Sequence, residues 1–109
     1  MKVFKLDDMT KGWFIGNFEP TAFNTELFEV NYRTHPKGEK WDYHYHTSSK
    51  EINLVVDGKM CFNGVQLCAG DIFVVEPWQV SDPEFLEDTT VVCVRLPSIN
   101  DKTVFKVVE

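Results

Sequence analysis

An all-β fold, either sandwich or barrel, is what this sequence predicts, and three observations predict it. Eight to ten short strand-like runs follow one another, each closed by Gly, Pro, Asn or Asp. No stretch keeps a helical spacing of apolar residues over three turns. Nine phenylalanines, three tryptophans and three tyrosines in 109 residues favour pleated sheet, where large aromatic side chains pack well, over a small helical bundle. With 43% apolar and 26% charged residues the chain is globular, and residues 1–109 read as one domain without linker or internal repeat.

Taken in order, residues 2–4 are expected to start a short edge strand. Apolar bulk between Gly12 and Gly16 reads as strand or turn, ended by Pro20. Residues 26–33 form a clearer strand with Phe28, Val30 and Tyr32 on one face and Leu27, Glu29, Asn31 and Arg33 on the other. That polar face fits either solvent or a polar pocket. Residues 34–39 are a loop by composition, with His35 beside Pro36 placed at the surface. Residues 41–46 alternate again: Trp41, Tyr43 and Tyr45 share one face, and Asp42, His44 and His46 share the other. Either the aromatic face meets the core and the histidines meet water, or a barrel encloses the histidines.

A polar turn at residues 47–50 leads into the strand 51–56. Asp57-Gly58 and Asn63-Gly64 are hairpin signals, since both dipeptides tolerate positive φ. They separate strands at 59–62 and 65–67. Another turn at Ala69-Gly70-Asp71 precedes the apolar strand 72–75, which Pro77 stops. Residues 78–88 read as loop, 89–96 as the last long strand, and 103–108 as a terminal strand.

The formal charge of -6, from 17 acidic and 11 basic residues without a basic cluster, argues against nucleic acid and anionic membrane as partners. No apolar run approaches the ~20 residues of a membrane span, and residues 1–8 lack the apolar segment of a signal peptide. Cys61, Cys68 and Cys93 contain no C-x-x-C pair, and Cys61 and Cys93 fall in apolar runs. Buried thiols in a reducing, cytoplasmic setting are the expectation.

The chemistry concentrates between Gly38 and Gly58. One residue separates His44 from His46, so a strand points both imidazoles to the same side. If the chain folds back at residues 47–50, Glu51 comes to lie beside them. Two imidazole nitrogens and a carboxylate oxygen are a donor set for a divalent transition metal. The alternative is a pair of hydrogen-bonded strand histidines, with Glu51 orienting an imidazole. Glu29, Arg33 and Glu76 are candidates for acid–base or substrate-anchoring roles, Arg33 as a fork of donors for a carboxylate or phosphate.

The run GEKWDYHYHTSSKEINLVVDG resembles the first conserved motif of the cupins, matching its glycines Gly38 and Gly58, its His44-x-His46 pair and its Glu51. The block from Gly70-Asp71 to Pro77 resembles the second motif. The family's third histidine is replaced there by Asp82, and a glycine by Gln79. The resemblance implies a jelly-roll β-barrel, or double-stranded β-helix. It also implies a metal (Fe, Mn, Ni or Zn) on His44, His46 and Glu51, with Asp82 as a fourth ligand, and a homodimer. It implies a small anionic or hydroxylated substrate and dioxygenase, isomerase or lyase chemistry. The alternative is a non-enzymatic module that binds a sugar or metabolite.

Overall fold

A computed structural model describes residues 1–105, Phe105 by its backbone alone. After a 3-10 turn at Leu6–Asp8 come the strands β1 (Trp13–Ile15), β2 (Glu29–His35), β3 (Tyr43–His46), β4 (Lys50–Asp57) and β5 (Lys59–Phe62). They are followed by β6 (Val65–Cys68), β7 (Ile72–Val75), β8 (Pro83–Phe85), β9 (Thr89–Leu96) and β10 (Lys102–Phe105). Among the described residues no helix is long and apolar enough to cross a membrane.

One wall is a five-stranded antiparallel sheet in the order β1-β2-β9-β4-β7. The other consists of β10-β3 and β6-β5-β8, joined by an antiparallel bridge between His44 and Ser81. This is the jelly-roll arrangement of a double-stranded β-helix. The hairpins β4–β5 and β5–β6 fall at Gly58 and at Asn63-Gly64, where φ is positive at all three residues (+96°, +51° and +83°).

Alternation along the strands decides what faces inward. In β2 the polar face is the inner one: Glu29, Asn31 and His35 are buried and Arg33 is half-buried. Glu51, Asn53 and Val55 point inward from β4, while Ile52, Leu54 and Val56 point out. Facing ladders therefore stack across the large sheet. One is Glu29–Arg95–Glu51–Val75, and the next is Asn31–Cys93–Asn53–Phe73. The apolar core is confined to one end, where Val55, Met60, Leu67, Phe85 and Val91 pack with Phe62 and Phe73. The charged ladder lies toward the opposite end.

Several expected boundaries shift. Residues 2–4 form no strand, because pairing of the N-terminal region begins only at Thr10 and Trp13. Strand β2 starts three residues late and runs on to His35, which pairs with Thr89. Glu26 is diverted, its carbonyl accepting a bond of 3.0 Å from Ser98 N. The expected loop 78–88 contains β8, paired with β5 through Met60–Phe85 and Phe62–Pro83. Pro83 opens that strand, a position where the missing N–H costs little. The expected terminal strand is present through residue 105, and its remainder lies outside the described residues. Cys93 is buried as expected, but Cys61 is half-buried and Cys68 exposed.

Candidate functional site

A cavity of about 480 Å³ opens between the two walls. His44, Glu51 and Arg33 line it, and the buried His46 lies beside them. The period-two reading of the two histidines is correct, and both point inward. Their rings meet edge to face with centroids 5.6 Å apart.

The central group is Arg95, which the sequence reading did not single out. Its neighbours across the sheet are Glu29 on β2 and Glu51 on β4. Nε and one terminal nitrogen donate to Glu51 Oε1 at 3.0 and 2.8 Å, while Glu29 is reached only at 3.5 Å. The guanidinium also lies over the Trp13 ring, 4.9 Å from its centroid. Burial pushes the Glu51 carboxyl up, but the adjacent His46 ring and the Arg95 charge outweigh it and hold the group at about 2. For Glu29 burial wins over the single long contact with Arg95, and its pKa is raised.

His46 stands between two acids. Nδ1 lies 2.9 Å from Asp101 Oδ1, and Nε2 lies 3.2 Å from Glu51 Oε1. The second contact is poorly directed, so Nε2 is a buried nitrogen without a partner in hydrogen-bond geometry. Asp101 is fixed by the turn between β3 and β4. It accepts from Ser48 N at 2.7 Å, Ser49 N at 2.8 Å and Ser49 Oγ at 3.0 Å. Burial opposes ionisation there, but these bonds together hold the Asp101 carboxyl well below the usual carboxylate range.

Asp82 and Glu76 do not join the site. Ser81, Pro83 and Phe85 are buried, so the same alternation turns Asp82 outward, and it is exposed. Its main-chain N–H donates to Asn63 Oδ1 at 2.8 Å. Glu76 continues the outward face of Ile72 and Val74, is exposed, and pairs with Lys50 at 3.5 Å. Glu29 faces inward but lines a separate recess with Arg95, Asn17 and Ser98, not the main cavity. Of the three catalytic candidates only Arg33 lines the main cavity.

No protein-family model matches the sequence, and neither does any curated protein. Solved structures do match. A Klebsiella pneumoniae protein with a double-stranded β-helix domain superposes with a TM-score of 0.69 at 18% identity, over 98% of this chain and 99% of its own. The Streptomyces nucleoside dehydratase Pac13 gives 0.66 at 18% identity, over 78% of this chain and 73% of its own. The bacterial pirin YhhW of Escherichia coli, in complex with nickel(II), gives 0.67 at 18% identity, over 80% of this chain and 39% of its own. The chain has the cupin fold.

Members of the cupin superfamily act on small molecules, and some hold transition metals. In this chain Asp82, the expected fourth ligand, stays outside the site. Among the described residues no group of three or more His, Cys, Asp or Glu side chains is arranged to hold a metal ion. Glu51 Oε1, the expected carboxylate donor, is already shared by two guanidinium nitrogens. A divalent ion placed there would lie beside a fixed positive charge. Asp82 faces away. The two histidines share one side and Glu51 lies beside His46, whereas the partners Arg95 and Asp101 come from positions 44 and 55 residues away. The only trace of Arg95 in the sequence is a lone cation in a β-branched run.

Proposed function

We propose that this cupin binds a small anion in the barrel cavity and acts on it by proton transfer, as an isomerase or lyase would. One observation carries the reading. The cavity lining has five cationic side chains, Lys11, Arg33, Lys40, Arg95 and Lys102, against three acids, Glu39, Asp42 and Glu51. That local excess of positive charge belongs to a chain whose formal charge is -6. A site of one sign inside an oppositely charged molecule focuses the field on its ligand. Trp13, Trp41, Phe62 and Phe73 supply flat apolar walls, as small-molecule sites do. In this reading Arg95 provides the fixed positive charge that a metal provides elsewhere, and His44 reaches the ligand. The dehydratase activity named for Pac13 is chemistry of this proton-transfer kind.

The test is thermal shift and calorimetry against small carboxylates, phosphates and sugar acids, with proton NMR to watch for conversion. Saturable binding of an anion is expected, weakened roughly tenfold or more by Arg33→Gln, the loss of one charge-assisted contact. Preference for neutral ligands overturns the reading. Binding without conversion reduces it to a binding module.

The unpartnered Nε2 of His46 favours one rival, a metal held by His44, His46 and Glu51 after Arg95 lets go. Elemental analysis of protein purified without a metal column decides between the two. Stoichiometric metal that disappears in Glu51→Ala establishes the rival.

We also infer a homodimer. Its support is the outer face of the large sheet, where the rows Val30–Val94–Ile52–Val74 and Tyr32–Val92–Leu54–Ile72 run across four strands. Ile72 is 66% exposed and Val74 47%. An apolar surface this continuous is typical of a protein interface.

A further inference from the structure

His35 falls in an expected loop, yet the fold makes it a wall of the cavity. It ends β2, is 6% exposed, and lies flat on Phe85 with ring centroids 4.5 Å apart and planes within 9°. Trp41 meets its edge at 5.3 Å. Nδ1 is 2.6 Å from Glu39 Oε2, which also accepts the Trp41 indole N–H at 2.7 Å. The other oxygen of Glu39 accepts from Arg33 at 3.3 Å. The loop between the two residues is pinned. Gly38 N donates to Phe85 O at 2.9 Å, and Lys37 N to Asp88 Oδ1 at 2.8 Å.

These contacts fix the tautomer. Burial pushes the Glu39 carboxyl up, but the bonds from Trp41 and His35 more than offset it, and its pKa is lowered. An ionised carboxylate only accepts, so the proton of His35 sits on Nδ1 and Nε2 carries a lone pair. Among the described residues no hydrogen bond to Nε2 of His35 is found. His35 itself lines the cavity.

We propose that His35, held by Glu39, is a general base of this cavity and takes a proton from a hydroxyl, or from a carbon next to a carboxylate, of the bound anion. The O–H or C–H bond breaks, its electron pair stays on the ligand, and an N–H bond forms at Nε2. The proton then returns to the product or to water, so nothing is oxidised or reduced. Glu39 is a positioning residue. The chain of rings from Phe85 through His35, Trp41 and His44 to His46 thus has a carboxylate-held imidazole near each end, His35 on Glu39 and His46 on Asp101. The inference rests on the anion-binding reading for its ligand, but not for its geometry.

Diethyl pyrocarbonate, which acylates an imidazole lone pair, tests the geometry on the full chain without any ligand. Peptide mass mapping of native protein is expected to find His35 modified, with the product absent in His35→Gln. Glu39→Gln should slow the reaction several-fold, because the amide either withdraws the charge that raises basicity or moves the proton to Nε2. Modification only after denaturation, or an unchanged rate in Glu39→Gln, overturns the proposal. Should His35→Gln fail to fold, ¹⁵N NMR of the wild-type imidazoles serves instead. A protonated Nδ1 with a bare Nε2 is expected, and the reverse tautomer overturns the proposal. A reactive His35 in a chain that binds no anion supports the dyad and overturns the ligand reading alone.

Discussion

Arg95 faces two carboxylates from adjacent strands and treats them unequally. Glu51 lies against the His46 ring and receives two short bonds from Arg95, which together lower its pKa, whereas Glu29, with one contact of 3.5 Å, is raised by burial. The consequences for stability are opposite too. Glu51 is held at about 2 against an ordinary 4.5, so its contribution is complete above pH 4.5 and is lost as the pH falls toward 2. Linkage makes this worth about 3 kcal/mol. Urea unfolding should therefore show Glu51→Gln less stable than wild type by about that amount at pH 7, with the gap closing in acid. Glu29 has a raised value, so its folded form favours the proton, and stability is lost as the pH rises through that value. Glu29→Gln should leave stability at pH 8 unchanged or higher. A loss in Glu29→Gln equal to that in Glu51→Gln would contradict the asymmetry.

The strands were readable from local pattern wherever their turns were. Asp57-Gly58 does more than reverse the chain between β4 and β5. A Cβ at Gly58, where φ is +96°, would lie 2.3 Å from Asp88 O and 2.8 Å from Thr89 Cα, backbone atoms that cannot swing aside. Gly64 has a similar φ of +83° but nothing within 4 Å. Gly64→Ala should cost about 1 kcal/mol, the ordinary penalty for a side chain at positive φ. Gly58→Ala should cost at least twice as much by thermal or urea unfolding, since a backbone clash adds to that strain. Equal losses would mean that the β4–β5 hairpin does not press on the start of β9. The segment before β8 shows the limit of local reading. Its acidic residues suggest a loop, while its alternation of Ser81, Pro83 and Phe85 against Asp82 and Glu84 is that of a strand. Reading that period would have turned Asp82 away from the histidines in advance.

Over the whole molecule the large sheet divides polarity between its two faces. The large sheet turns Glu29, Asn31, Glu51, Asn53 and Arg95 inward at one end and leaves aliphatic rows outside. A homodimer through those rows should be visible by light scattering at micromolar concentration. Leu54→Lys with Ile72→Lys should give a monomer whose intrinsic fold is intact by circular dichroism, because neither side chain is in the buried core. A wild-type monomer would defeat the inference.

The sequence by itself determined the all-β class, most turns and the shared side of His44 and His46. Each of these rests on a repeat of two residues or on a dipeptide that tolerates positive φ, and both are local properties of the chain. Tertiary structure alone decided which face of β2 is inside, that Arg95 claims Glu51, that Asp101 holds His46, and that His35 belongs to a wall. These depend on strand register across tens of residues or on loop closure, and no local period encodes which strands become neighbours.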